Sequence, residues 1–254
     1  MYGTVDLLIV GYFADAAHVS AVSTGSMTMQ TFTGIITGLT MGCTVQLGHS
    51  VGKRDYPGAA KAVISSAVLF TVVGLVMTGL ISLCAGPIAE VMNAPAEAFA
   101  PTVDYIRICG VGAVCIVLFN AISGVFRGIG DSRTPMLLML ISCGVNIAGD
   151  LLLTGAFRMG AAGAAIATVA AQGRSVAFAI WRICRKGLGF EMPREGLSFS
   201  LPITRRILKF GAPIAAQDLL TGVSFMVILA ILNNFGLNES AGVGGAEKMC
   251  GLMF

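Results

Sequence analysis

Charge is what this sequence has least of. Asp, Glu, Lys and Arg make up 11% of its 254 residues, while hydrophobic residues make up 56%. A soluble domain carries about 25% charged residues, so the balance points to lipid. The ~10-residue alternating segments of a membrane β-barrel are absent too, which leaves helices as the spanning element. No Walker loop, HExxH or GxSxG occurs, so nucleotide hydrolysis and the common hydrolytic chemistries find no machinery here, and the reading is a protein that is not an enzyme and needs no cofactor. Basic residues are not interleaved with aromatics in a patch, which argues against nucleic acid. The seven cysteines form no CxxC and no cluster with histidine; they read as small packing residues. No basic stretch precedes the apolar opening MYGTVDLLIVGYFAD, so no signal peptide is read.

What the sequence does have is a series of apolar stretches, each long enough to cross a hydrocarbon core of ~30 Å as a helix. A short apolar piece over residues 1–12 comes first. Helices are then predicted over Ala17–Leu47, Ala59–Cys84, Pro101–Val125, Pro135–Phe157, Ala161–Arg182 and Leu208–Leu232, with another beginning near Glu239. VGKRDYPG, CAGPIAEVMNAP, RGIGDSRTP, FRMG and GLGFEMPREGLSFSLPIT carry loop chemistry between them. The expected fold class is all-α, a polytopic helical bundle in the lipid bilayer. Both ends fall inside predicted helices, so the chain reads as a fragment.

Orientation follows from Lys and Arg. Lys53, Arg54, Lys61, Arg127, Arg133, Arg182, Arg185, Lys186, Arg194, Arg205, Arg206 and Lys209 gather in alternate loops, whereas the opposite loops hold Arg158. The basic side is therefore cytoplasmic, and the location is the cytoplasmic membrane of a bacterial cell.

Within this apolar frame SCGVNIAGDLLLTG places Asp150 in a membrane segment with no Lys or Arg. Asp150 lies seven residues before Phe157, or about 10 Å below the outer surface at 1.5 Å per residue. Asp6 precedes Phe13 by the same number of residues, and Thr168 follows Ala161 by the same number. Asn146 is one turn deeper than Asp150 on its face. Two carboxylates, an amide and a hydroxyl thus share one layer on three helices. Facing lipid, they would cost several kcal/mol, so they should face each other. Such hard oxygens suit Na⁺; alternatively a buried aspartate accepts H⁺. A plain hydrogen-bond network that fastens three helices is the structural alternative.

Gln172, one turn beyond Thr168, and Gln217 with Asp218, which reads as buried, are candidates for lining a substrate cavity. Gly34, Gly38 and Gly42 form a small-residue face for close helix packing. Asp104 and Arg107 are spaced to pair, and Arg174 is placed to snorkel toward the cytoplasm. His18 and His49 sit at helix ends. DAAHVSAVSTG (15–25) is faintly repeated as GLNESAGVGGAE (236–247).

VDLLIVGYFADAAHVSAV (5–22), FRGIGDSRTPMLLMLISCGVNIAGDLLLTGAFRMGAAGAAIATVAAQ (126–172) and LKFGAPIAAQ (208–217) resemble the MATE family, the multidrug and toxic compound extrusion antiporters. The resemblance implies twelve helices in two pseudo-symmetric six-helix lobes around a cavity open alternately to each side. Residues 1–186 would then be the N-terminal lobe with a partial first helix, 187–204 a cytoplasmic linker, and 205–254 the start of the C-terminal lobe, whose remainder is a missing partner. The family's N-lobe cation site maps by position onto Asp6, Asn146, Asp150 and Thr168. Where some relatives carry an acidic residue in the seventh helix, Thr221 stands here. The expected function is Na⁺- or H⁺-coupled export of small organic, cationic amphiphiles. A flippase for lipid-linked precursors is the rival, with Arg107 and Arg174 as its only candidate phosphate holders; a non-transporting receptor or scaffold is the second.

Overall fold

The computed structural model describes residues 2–190 and 199–235. Every regular element among them is a helix: α1 (Tyr2–Phe13), α2 (Ala16–Gly52), α3 (Tyr56–Val91), α4 (Ala96–Val111), α5 (Ala113–Gly128), α6 (Arg133–Asp150), α7 (Gly160–Lys186) and α8 (Leu201–Asn233). α6 runs on into a π-helical segment, Leu151–Ala156. Four helices (α3, α6 with its π segment, α7 and α8) are long and apolar enough to cross a membrane, and α4 with α5, bent by 52° at their junction, passes the same test if the pair is one span. The all-α polytopic membrane bundle expected from composition is the architecture observed. The repeat segment 236–247 and the helix expected near Glu239 lie outside the described residues.

α2 is the axis of the bundle and packs against α1, α3, α4, α5, α7 and α8. It is rich in Thr and Ser, yet it exposes few free hydroxyls. Thr28, Thr33 and Thr40 each donate to the carbonyl four residues back, at 3.0, 2.8 and 2.7 Å. A hydroxyl satisfied by its own helix can be buried without a partner from outside. On the outer surface of the bundle Leu75, Val76, Leu80 and Leu83 of α3 and Leu220, Val227, Ile228 and Ile231 of α8 are exposed, as a lipid-facing belt requires.

Two boundaries differ from the sequence expectation for identifiable reasons. CAGPIAEVMNAP carries loop chemistry, but α3 continues through Pro87 to Val91. Ala85 and Ala89 are fully buried, and Ile88 packs against a small cluster that includes Met92 and Leu229; this packing outweighs the one hydrogen bond that Pro87 removes. The helix expected over Pro101–Val125 is two helices, α4 and α5, broken at Gly112. Glycines commonly mark sharp kinks. Here a Cβ on Gly112 would overlap the Val169 side chain, so the bend seats α7 in its elbow. Elsewhere the helices run longer than expected: α8 starts at Leu201, shortening the expected linker.

The seam between α2 and α8 is made by backbone approach. A Cβ at Gly38 would meet the backbone of Ile214 and Ala215, one at Gly42 that of Ile207 and Gly211, and one at Gly211 that of Leu39. At its outer end Asn233 donates to the carbonyl of Met92 at 2.7 Å and to Thr24 Oγ1 at 3.4 Å. Lipid offers apolar surfaces no drive to associate, so close van der Waals packing and such hydrogen bonds must hold the seam. Gly38→Ala is therefore expected to destabilise by about 1–3 kcal/mol through overpacking. Gly79→Ala, in α3 with nothing within 4 Å of its new Cβ, is expected to stabilise by about 0.5–1 kcal/mol. Thermal unfolding of the two variants in the same detergent checks the opposite signs.

Candidate cation site

α6 and α7 carry most of the candidate site, and their inner ends are fixed first. Asp131 precedes α6; its Oδ1 accepts from the backbone N–H groups of Arg133 and Thr134, both at 3.0 Å, and its Oδ2 from the Thr134 hydroxyl. Arg182 of α7 reaches the same carboxylate at 3.7 Å. One side chain thus caps α6 and ties it to α7. Partial burial pushes the Asp131 carboxyl up, but the bonds from Thr134 and Arg133 and the Arg182 charge outweigh it and hold it below its ordinary value.

The outer ends are joined by a short hairpin. Thr154 donates to the Gly160 carbonyl at 3.2 Å. Gly160 has φ of +56° and lies so close to the His18 ring that a Cβ would overlap it. A side chain is excluded there on both counts. His18 Nδ1 accepts from the first-turn N–H of Ala161 at 3.3 Å, so a histidine expected only at a helix end links α2 to the start of α7.

Between these anchors α6 buries Thr134, Leu138, Ser142, Asn146 and Asp150, one every four residues. α-Helical geometry turns about 40° too far over each such step. The buried stripe therefore winds around α6, and the helix meets α5, α7 and α1. Asp6, Asn146, Asp150 and Thr168 are brought together. Asn146 Nδ2 donates to Thr168 Oγ1 at 3.3 Å, and Thr168 Oγ1 donates to Asp6 Oδ2 at 3.3 Å. Asp150 is fully buried and faces Asp6 at hydrogen-bond range. Neither of its oxygens receives an N–H or hydroxyl proton among the described residues. Thr168 itself is half-buried.

The other candidates are placed differently. Gln172 is buried, with Oε1 unpartnered among the described residues. Gln217 is exposed, and Asp218, expected to be buried, is half-buried against Gly34. Thr221 is exposed. Asp104 and Arg107 are both exposed, as is Arg174; the ion pair found among the described residues is Arg182 with Asp131, not Asp104 with Arg107.

A fourth helix closes the layer, and sequence reasoning passed over it. Tyr105 and Cys109 of α4 are buried and hydrogen-bond one another; both feel the charge of Asp6, and Tyr105 that of Asp150. The available signal was a tyrosine one turn from a cysteine in an apolar helix, next to the more conspicuous Asp104 and Arg107.

The sequence profile called MatE matches residues 1–152. The chain is 25% identical over 246 residues to "Probable multidrug resistance protein YpnP" of Bacillus subtilis, covering 96% of this chain and 55% of that protein. It is 26% identical over 248 residues to "Multidrug export protein MepA" of Staphylococcus aureus, covering 93% and 52%. The chain thus spans about half the length of the curated relatives it matches. Among solved structures, an inward-facing multidrug resistance MATE transporter of the MOP superfamily superposes with a TM-score of 0.92 at 24% identity, over 99% of this chain and 57% of that one. An outward-facing one gives 0.86 at 23%, over 99% and 56%. At these identities the likeness speaks for the fold.

Replacing Asp131 by Ala removes the cap of α6 and its tie to α7. A loss of about 0.5–2 kcal/mol is expected, the usual range for an N-cap. Since the folded carboxyl sits below its unfolded value of 3.8, its contribution is full at neutral pH and fades only as pH falls through the folded value. Unfolding midpoints of wild type and Asp131→Ala should therefore differ at pH 7 and converge in acid.

Proposed function

The chain belongs to the MatE family, and on that premise we propose that it forms part of a cation-coupled secondary antiporter that exports organic amphiphiles by alternating access. The observation carrying this reading is the Asp6–Asp150 pair, enclosed with Asn146 and Thr168. Two ionised carboxyls cannot rest at hydrogen-bond range in a buried layer; a proton or a small cation has to lie between them. Carboxylate, amide and hydroxyl oxygens are hard ligands, suited to Na⁺, and the same pair can share H⁺.

The coupling logic is thermodynamic. With the layer empty, the two charges repel and favour an arrangement of α1, α6 and α7 that separates or hydrates them. Cation binding removes the repulsion and favours the closed layer. Export requires that cation and substrate stabilise different states, so their binding is antagonistic. The substrates are small and cationic, and a C-terminal lobe completes the cavity that holds them. Gln217 and Asp218, on the half of α8 that lines the seam with α2, belong to its wall. The relatives named for multidrug resistance and export support the substrate class.

Asp150→Asn, in the full chain, is expected to reach the membrane at normal levels and to lose dye efflux driven by a Na⁺ or pH gradient down to background. The measurement is ethidium uptake into inverted vesicles under each gradient. Undiminished efflux by the variant overturns the site. Dye movement that ignores both gradients overturns the coupling.

A further inference from the structure

One turn inward of the layer lie two buried oxygens with no part in it so far. α6 and α7 are antiparallel, and four contacts fix their register. Thr154 bonds to Gly160, Gly149 lies against Ala167, Asn146 bonds to Thr168, and Ser175 donates to the Leu138 carbonyl at 3.2 Å. One turn inward from Asn146 and Thr168, the same register sets Ser142 opposite Gln172. Ser142 is 1% exposed and Gln172 9%. Ser142 Oγ, Gln172 Oε1 and, a turn outward, Asn146 Oδ1 are all without a hydrogen-bond partner among the described residues.

Buried acceptors left unmet are costly, and in native proteins such groups are met by protein or by ordered water. A water enclosed in this seam would find up to three polar partners, within the two to four that a buried water takes. It is closed inward, where Leu138 is fully buried and its carbonyl is taken by Ser175. It is continuous outward with Asn146 and the Asp150 layer. Neutral lining suits water rather than a second cation.

We infer that Ser142 and Gln172 form an inner subsite for one water molecule, which bonds to Asn146 and sets how tightly the layer holds its cation. This rests on the reading that the Asp6–Asp150 layer binds the coupling cation. Asn146 donates its amide to Thr168, so the orientation of its oxygen is set by what meets it on the inner side. With a water there, Asn146 and Thr168 are held in one geometry for the ion. Without it, the amide is free to turn and the ligand set loosens. Ser142 and Gln172 are thus positioning residues.

The test uses the full chain in proteoliposomes, with efflux of ethidium driven by whichever cation drives the wild type. Ser142→Ala and Gln172→Leu are each expected to raise the Na⁺ concentration for half-maximal efflux about tenfold, or to lower the pH midpoint by about one unit. The maximal rate of Ser142→Ala and the thermal midpoints of both variants in cation-free buffer should stay near wild type. Ser142→Thr, which keeps a neutral hydroxyl at that place, should hold the wild-type midpoint. A merely structural role would lower the thermal midpoint and leave the cation midpoint alone. If both variants, Ser142→Ala being the smaller change, keep the wild-type cation midpoint within twofold while Asp150→Asn abolishes driven efflux, the inner subsite is wrong and the layer stands. If Asp150→Asn retains driven efflux, the layer itself is wrong.

Discussion

Inside a bilayer a polar atom has no solvent to fall back on. Each carboxyl, amide and hydroxyl in this bundle must be met by another protein group, by an enclosed water or by an ion. The arrangement of α1, α6 and α7 follows from that demand. α1 packs against α2, α6 and α7, where Asp6 has its complement. α6 presents a winding polar stripe, and α7 presents Thr168, Gln172 and Ser175 to receive it. The tie at Asp131 and the hairpin at Gly160 hold the two helices in register from both ends. A slip of one residue along α7 would break the Asn146–Thr168 and Ser175–Leu138 bonds together.

Much of this was legible in the sequence because depth in a membrane helix is linear in residue number. Counting from helix ends marked by Phe13, Phe157 and Ala161 brings Asp6, Asp150 and Thr168 to one level without any knowledge of packing, and the four-residue step adds Asn146. Oxygen-bearing side chains are few in apolar segments, so each stands out. What was not legible lacked such contrast. Tyr105 and Cys109 look like ordinary core residues in an apolar helix. The link from His18 to Ala161 joins residues far apart in sequence and depends on a positive φ at Gly160 that no periodicity reports.

Helix limits failed where tertiary contact overrode local preference. Pro87 reads as a stop, but Ala85 and Ala89 are locked into the bundle and carry α3 past it. Gly112 reads as one more small residue, and only the approach of Val169 turns it into an elbow. Likewise Gly34, Gly38 and Gly42 announce a close contact but not its partner. The partner is α8, whose Ala215 and Gly211 come near enough that the two backbones touch. Asp218 faces Gly34 from the edge of that contact, which is why it is only half-buried.

A π segment begins directly after Asp150. A wider turn accommodates one residue more than an α-helix would over the same rise. The stretch from Leu151 to Ala156 is therefore the place where the outer tip of α6 changes phase relative to the part that carries Asn146 and Asp150. The four-residue stripe, which overshoots at every α-helical step, is turned back there, and Thr154 still arrives at the Gly160 carbonyl. The spacing between the acidic residue and the hairpin is thus set to the single residue. Losing one position from this stretch would let the wide turn close into ordinary α-helix, whereas adding one would leave no wide turn to absorb it and would swing the hairpin by roughly 100° about the helix axis.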